Sequence, residues 1–146
     1  WSVTGTLTDP AGNVSPSGSA LSMTVDTTAP SAPSAPDLLA SSDTGSSSTD
    51  NVTNDTTPMM SVTGGSNGDT ATISAVNGGI TKTCTYVIGT STSCDLPALT
   101  DGTWIVSGTL TDPAGNVSPA GSSLSMTMDT TAPSAPGSAP DLAASS

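Results

Sequence analysis

Histidine, arginine, glutamate, glutamine and phenylalanine are all absent from this chain of 146 residues, and Lys82 is its only basic side chain. Acid–base and nucleophilic catalysis draw mainly on His, Glu, Lys, Cys and Arg held in a pocket. A chain nearly emptied of all five reads as a protein that is not an enzyme. Twelve Asp against one Lys give a net charge of -11, so the surface repels phosphate, and neither nucleic acid nor an anionic membrane is an expected partner. No apolar run reaches the ~18 residues of a spanning helix, and no basic segment opens the chain as a signal peptide would. Direct membrane insertion is therefore not expected, and any export signal would lie elsewhere in a parent protein. Only Trp1, Tyr86 and Trp104 are aromatic. Such a core is modest, and burial set against chain entropy predicts that it needs an additional staple.

What the chain has in abundance is hydroxyl, with 26 Ser and 26 Thr, and an internal repeat. WSVTGTLTDPAGNVSPSGSALSMTVDTTAPSAP at 1–33 recurs as WIVSGTLTDPAGNVSPAGSSLSMTMDTTAPSAP at 104–136. Over the first 28 positions only five pairs differ: Ser2/Ile105, Thr4/Ser107, Ser17/Ala120, Ala20/Ser123 and Val25/Met128. A long period of this kind marks a tandem array. Pro, Ala and Ser crowd into 27–37 and 130–141, a composition that favours semi-rigid spacers. These stretches set the expected boundaries. Residues 1–30 read as the last two strands of one repeat, 31–37 as a linker, 38–132 as a complete repeat, and 133–146 as the next linker. An isolated two-stranded hairpin is marginal in water, so the 1–30 segment is expected to be ordered only if something covers it.

The complete unit shows alternating short strands between Gly, Asn and Asp turns, with no helical stripe. The pattern predicts strands near 58–63, 70–76, 81–88, 93–96, 103–111 and 124–128. Alternation turns Ala71, Ile73 and Ala75 to one face, as it does Cys84, Tyr86 and Ile88, then Trp104, Val106 and Leu110, and finally Leu124, Met126 and Met128. Six or seven short strands in this length indicate an all-β, two-sheet sandwich of the immunoglobulin-like kind.

The motifs TLTDPAGNVS, DTTAPSAP, SDTGSSSTDNVTNDTTP and the DGTW leading into a strand together resemble the tandem bacterial immunoglobulin-like repeats of giant cell-surface adhesins. The resemblance implies a β-sandwich and a place in an exported, extracellular stalk at the bacterial cell surface, stiffened by Ca²⁺, with neighbouring repeats of the same chain as partners.

All the acid is Asp, and it clusters. Asp43, Asp50 and Asp55, with Asn51 between, lie on a Ser- and Gly-rich loop whose hard oxygen donors suit Ca²⁺. In an immunoglobulin-like sandwich the loop between the last two strands returns to the end where the chain enters, which is expected to bring Asp112 and Asn116 of TDPAGN beside that loop. A second, weaker site is expected where Asp101 faces Asp129 and Asp141 of the outgoing linker. The competing reading is plain turn chemistry, since Asp and Asn bond their own backbone.

Cys84 and Cys94 flank a turn at Gly89. A three-residue hairpin loop would set them opposite one another on adjacent strands, with Cβ atoms ~4.5–5.5 Å apart, as a structural disulfide. Two buried thiols or a redox pair are the alternatives, and the spacing is not CxxC. The sequons at Asn13, Asn51, Asn54 and Asn116 arise easily in a chain this rich in Ser and Thr, and Trp1 and Trp104 read as core plugs rather than sugar platforms. Three functions compete: a calcium-stiffened spacer, a filament subunit that polymerises by strand exchange, and, last, a carbohydrate- or ice-binding module.

Overall fold

The computed structural model describes residues 1–137, so Asp141 of the expected downstream site lies outside the described residues. Among the described residues ten strands run in order: β1 Ser2–Val3, β2 Leu21–Ser22, β3 Asp37–Leu38, β4 Val52–Thr53, β5 Met59–Ser61, β6 Thr70–Asn77, β7 Ile80–Val87, β8 Cys94–Asp95, β9 Gly102–Thr111 and β10 Leu124–Met128. A five-stranded sheet in the order β4-β10-β9-β6-β7 faces a three-stranded sheet, β3-β5-β8, while β1 and β2 pair by themselves. The fold is an all-β sandwich, as the alternation indicates.

The β6–β7 hairpin shows how locally the fold is written. Asn77 pairs with Ile80 across a two-residue turn. Both turn residues, Gly78 (φ 54°) and Gly79 (φ 88°), lie in the left-handed region that this tight turn demands and that glycine enters without cost. Its apolar positions then fall on one face. Ala71, Ile73 and Ala75 of β6, Trp104, Val106 and Leu110 of β9, and Met126 and Met128 of β10 are buried, and Leu38, Met60, Leu96 and Leu99 close over them from the other sheet. Tyr86 ties the sheets together with its polar tip. Its hydroxyl donates to the Val62 carbonyl at 3.0 Å and accepts from the Val62 amide at 3.1 Å. Trp104 fills the centre while its indole N–H donates to the Thr100 carbonyl at 2.9 Å, so its burial leaves no polar group unmet.

Two expectations need correction. The stretch 31–37 is not a free spacer. From Pro33 onward it belongs to the sandwich, with Pro33 and Pro36 buried. The Ser34 amide donates to the Thr63 carbonyl and the Thr63 amide to Ser34 Oγ, both at 2.9 Å. Gly121 permits this close approach, because a Cβ there would stand 2.5 Å from the Pro33 carbonyl oxygen. A strand of two residues among prolines leaves no periodic trace, which is why the sequence hides β3.

The second correction concerns the cysteines. Cys84 and Cys94 form a disulfide with Cα atoms 5.9 Å apart, but they are not opposite partners in one hairpin. Cys84 lies on β7, at the edge of the five-stranded sheet, and β8 with Cys94 pairs with β5 in the other sheet. The turn after Val87, where the Thr90 and Ser91 amides both donate to the Val87 carbonyl, passes the chain from one sheet to the other. The bridge therefore pins the two layers together along one edge.

Candidate functional site at the two ends of the sandwich

The strand β9 runs the length of the domain, about 30 Å for its ten residues. The acidic groups divide between its two ends. At the end where β9 finishes, Asp112 folds the TDPAGN turn. Its Oδ1 accepts from the Asn116 amide and its Oδ2 from Asn116 Nδ2, both at 2.8 Å. These bonds to Asn116, its side chain first, hold the Asp112 carboxyl below the ordinary carboxylate range. The same Asn116 Nδ2 also donates to the Asp26 carbonyl at 3.1 Å, which ties the preceding hairpin to this end of the domain.

At the opposite end lies the loop carrying Asp43, Asp50, Asn51 and Asp55. The Thr127 amide donates to the Asn51 carbonyl and the Asp129 amide to the Thr53 carbonyl, so this loop sits beside the end of β10 and the start of β9. The structure thus separates Asp50, Asp55 and Asp43 from Asp112 and Asn116 by the length of the sheet. The cause is β3. The segment from Ser34 to Leu39 hydrogen-bonds along β5 from Thr63 to Met59, carrying the chain across the domain before the acidic loop begins.

Within that loop the carboxylates have distinct duties. Asp50 Oδ1 accepts from the Val52 amide at 3.2 Å. Asp55 accepts from the Thr57 amide at 3.0 Å and from Ser42 Oγ at 2.7 Å, and Ser42 in turn receives the Met59 amide. Asp43 is only 4% exposed; its Oδ2 accepts from the Asn51 amide at 3.2 Å while its buried Oδ1 has no partner. Asn51 is the one non-glycine residue with positive φ, at 60°, among the described residues. Thr53 Oγ1 donates to the Ser42 carbonyl and closes the loop onto β4. Among the described residues no three Asp or Cys side chains converge as a ready-made metal cluster.

The downstream linker is latched at the same end. Asp101 Oδ1 accepts from the Thr130 amide at 2.9 Å and Thr130 Oγ1 at 2.7 Å, and Oδ2 accepts from Thr131 Oγ1 at 2.9 Å. These bonds, led by the Thr130 hydroxyl, lower the Asp101 carboxyl below its ordinary range. Asp129 Oδ1 accepts from the Thr131 amide at 3.0 Å. Asp101 bonds both Thr130 and Thr131, and Asp129 shares Thr131 with it, so their oxygens fasten the linker directly. The threonines themselves went unread in the sequence, although an Asp followed by Thr-Thr at a strand end is the available signal. Asp69, also missed, is buried and accepts from the Ser66 amide at 2.8 Å, a turn-holding role.

A two-layer sandwich with this strand order, closed from Pro33 to Met128, now meets the comparison with known families. The model described as a bacterial Ig-like domain matches residues 29–130. The chain belongs to the bacterial Ig-like domain family. The matched span starts just before the buried prolines and ends at the Asp101 latch, in agreement with the packing. No curated protein matches the chain. Bacterial Ig-like domains are typically structural rather than enzymatic and commonly lie at the cell surface. No helix among the described residues is long and apolar enough to cross a membrane.

Proposed function

We propose that this chain is a structural spacer of a long extracellular bacterial adhesin, built to hold successive Ig-like repeats at a restricted angle. The observation that carries this reading is the pair of anchored linkers. Upstream, Pro33 and Ser34 are seated on Gly121 and Thr63; downstream, Thr130 and Thr131 are fastened to Asp101. Thr131 and Pro136 are the repeat equivalents of Thr28 and Pro33, so between these anchors only Ala29-Pro30-Ser31-Ala32 stays free in each junction. Four residues of which one is proline make a short, stiff joint.

Gly121→Ala tests the upstream anchor. Its Cβ meets the Pro33 and Ser34 carbonyl oxygens, so overpacking costs about 1–3 kcal/mol and lifts the linker off the domain. Amide exchange at Ser34 is expected to accelerate while Ala75, in the centre of β6, stays protected. Equal protection of Ser34 in both proteins would remove the anchor from the spacer reading.

Calcium is the second part of the proposal. The unpartnered, buried Asp43 Oδ1 supports it, since an orphaned carboxylate oxygen on an oxygen-rich loop is what a hard cation satisfies. Asp43, with oxygens of Asn51 and neighbouring loop carbonyls, would hold the ion, and the ion would supply positive charge that binds the folded loop and not the unfolded chain. Asp112 and Asn116, at the far end, take no part in this site. A melt in millimolar CaCl₂ against EDTA, with MgCl₂ as control, is expected to rise by about 10 °C, ~2 kcal/mol for a domain of this size. Asp43→Ala is expected to abolish that rise; a calcium response unchanged by the substitution, or none in the parent, counts against the site.

A further inference from the structure

Two asparagines of the chain stand directly before glycine, Asn67 before Gly68 and Asn77 before Gly78. At such a step the backbone nitrogen of the second residue can attack the side-chain amide carbon of the first and close a succinimide ring. Glycine puts no Cβ in the way of that approach. At Asn13, Asn51 and Asn116 the next residue is a valine, and at Asn54 it is Asp55, so a side chain crowds the attack at each of these.

The fold treats the two Asn–Gly steps differently. The Gly68 amide donates to the Ile88 carbonyl at 3.0 Å, which keeps its nitrogen engaged. Gly78 opens the tight turn that the Asn77–Ile80 pair closes, and its amide meets no hydrogen-bond acceptor among the described residues. Gly78 and Gly79 are both exposed, so water and base reach the turn. The Asn77 side chain, by contrast, is half-buried against the start of β9, with Nδ2 only 2.9 Å from where a Cβ on Gly102 would stand. Gly102 directly follows Asp101, whose carboxylate holds Thr130 and Thr131. The Asp101–Gly102 step is itself guarded, since an ionised carboxylate resists attack and both of its oxygens are hydrogen-bonded.

We propose that Asn77 is a self-modification site, at which the Gly78 nitrogen converts the side-chain amide into a carboxylate beside the Asp101 latch. The Gly78 N–H gives its proton to solvent base and the nitrogen bonds to Asn77 Cγ. The Cγ–Nδ2 bond breaks, and ammonia leaves with a proton taken from water. A second water then opens the ring. Attack at Cγ restores the ordinary backbone with an aspartate side chain, whereas attack at the backbone carbonyl leaves the chain running through Cγ as an isoaspartyl link. Water is the only co-reactant, and either product carries a negative charge where there was none. That charge lies next to the Asp101 carboxylate, so repulsion pushes the two apart and strains the bonds to Thr130 and Thr131. The isoaspartyl product also lengthens the backbone at the last pair of β6 and β7. The downstream linker therefore loosens as the chain ages. Neither calcium nor the spacer reading enters this chemistry.

The test incubates the full chain in warm, mildly alkaline buffer, where the Gly78 nitrogen loses its proton more readily, with a mildly acidic sample as control. Intact mass is expected to rise by the difference between O and NH, and faster in the alkaline sample. Fragment spectra are expected to place the change at Asn77 about five to ten times faster than at Asn67, where an ordinary hydrogen bond at Gly68 must first break. Equal rates at the two steps, or a change first at Asn67, overturn the proposal. So does a chain left unaltered when the free peptide 74–83 has reacted to completion. An Asn77→Asp chain carries the product charge from the outset and reads its consequence. Amide exchange at Thr130 is expected to be several-fold faster than in the parent, while Ser34, anchored at the opposite end, keeps its protection. Equal protection of Thr130 in the two chains would overturn the link to the latch.

Discussion

Trp104→Ala is expected to lower the stability of the domain by about 3–5 kcal/mol, the range for truncating a large buried aromatic. Trp104 is fully buried near the start of β9, the strand that pairs with both β6 and β10. The other two aromatic residues cannot compensate. Trp1 is exposed on the β1–β2 hairpin outside the core, and Tyr86 is fixed by its two bonds to Val62. Trp104 is the largest fully buried side chain of the core, so its removal leaves the largest single gap that the surrounding Leu, Ile and Met side chains would have to fill. Domains of this size hold only ~5–15 kcal/mol in total. Urea titration followed by the Tyr86 signal measures the effect, and a change below about 1.5 kcal/mol, the scale of a volume-conserving core swap, would show that the core repacks around the gap.

Loss of the Cys84–Cys94 bridge is the second large effect. The closed loop holds 11 residues, for which the chain-entropy relation gives about 3 kcal/mol. Its position adds to the consequence, because the bond joins β7 to β8 across the two sheets, where there is no strand pairing to hold those edges together. The Cys84→Ser/Cys94→Ser double variant is expected to melt about 10–20 °C lower than the oxidised parent. Reduced parent should match the variant. A variant that melts with the oxidised parent would mean that burial of β7 and β8 already secures that edge.

These two effects differ in how visible they are beforehand. Trp104 announces itself as a core residue, because it alternates with Val106 in a strand whose turn-facing neighbours are Gly and Asp. The cysteines announce a bridge by their number and spacing, but not that it joins β7 of one sheet to β8 of the other. A turn at Gly89 looks the same whether the chain folds back within a sheet or steps across to the facing one. The metal residues show the same limit at larger scale. Asp112 and Asn116 lie at the end where the chain enters, whereas the Asp43–Asp55 loop, adjacent to them by the expected loop order, lies at the other. Two residues of β3, hidden among prolines, reverse its position.

The sequence by itself determined the repeat, the all-β alternation of β6, β7, β9 and β10, the tight glycine turn between β6 and β7, and the apolar residues that meet in the core. Each of these rests on contacts between near neighbours, or on a period of two that any sheet must respect. The tertiary structure alone decided which end of the sandwich receives each loop, which strands the disulfide joins, and that the proline stretch is seated on Gly121 rather than free. Those outcomes depend on pairings between distant segments, made by two- and three-residue strands too short to leave a pattern, and only the closing of the two sheets over one core selects among them.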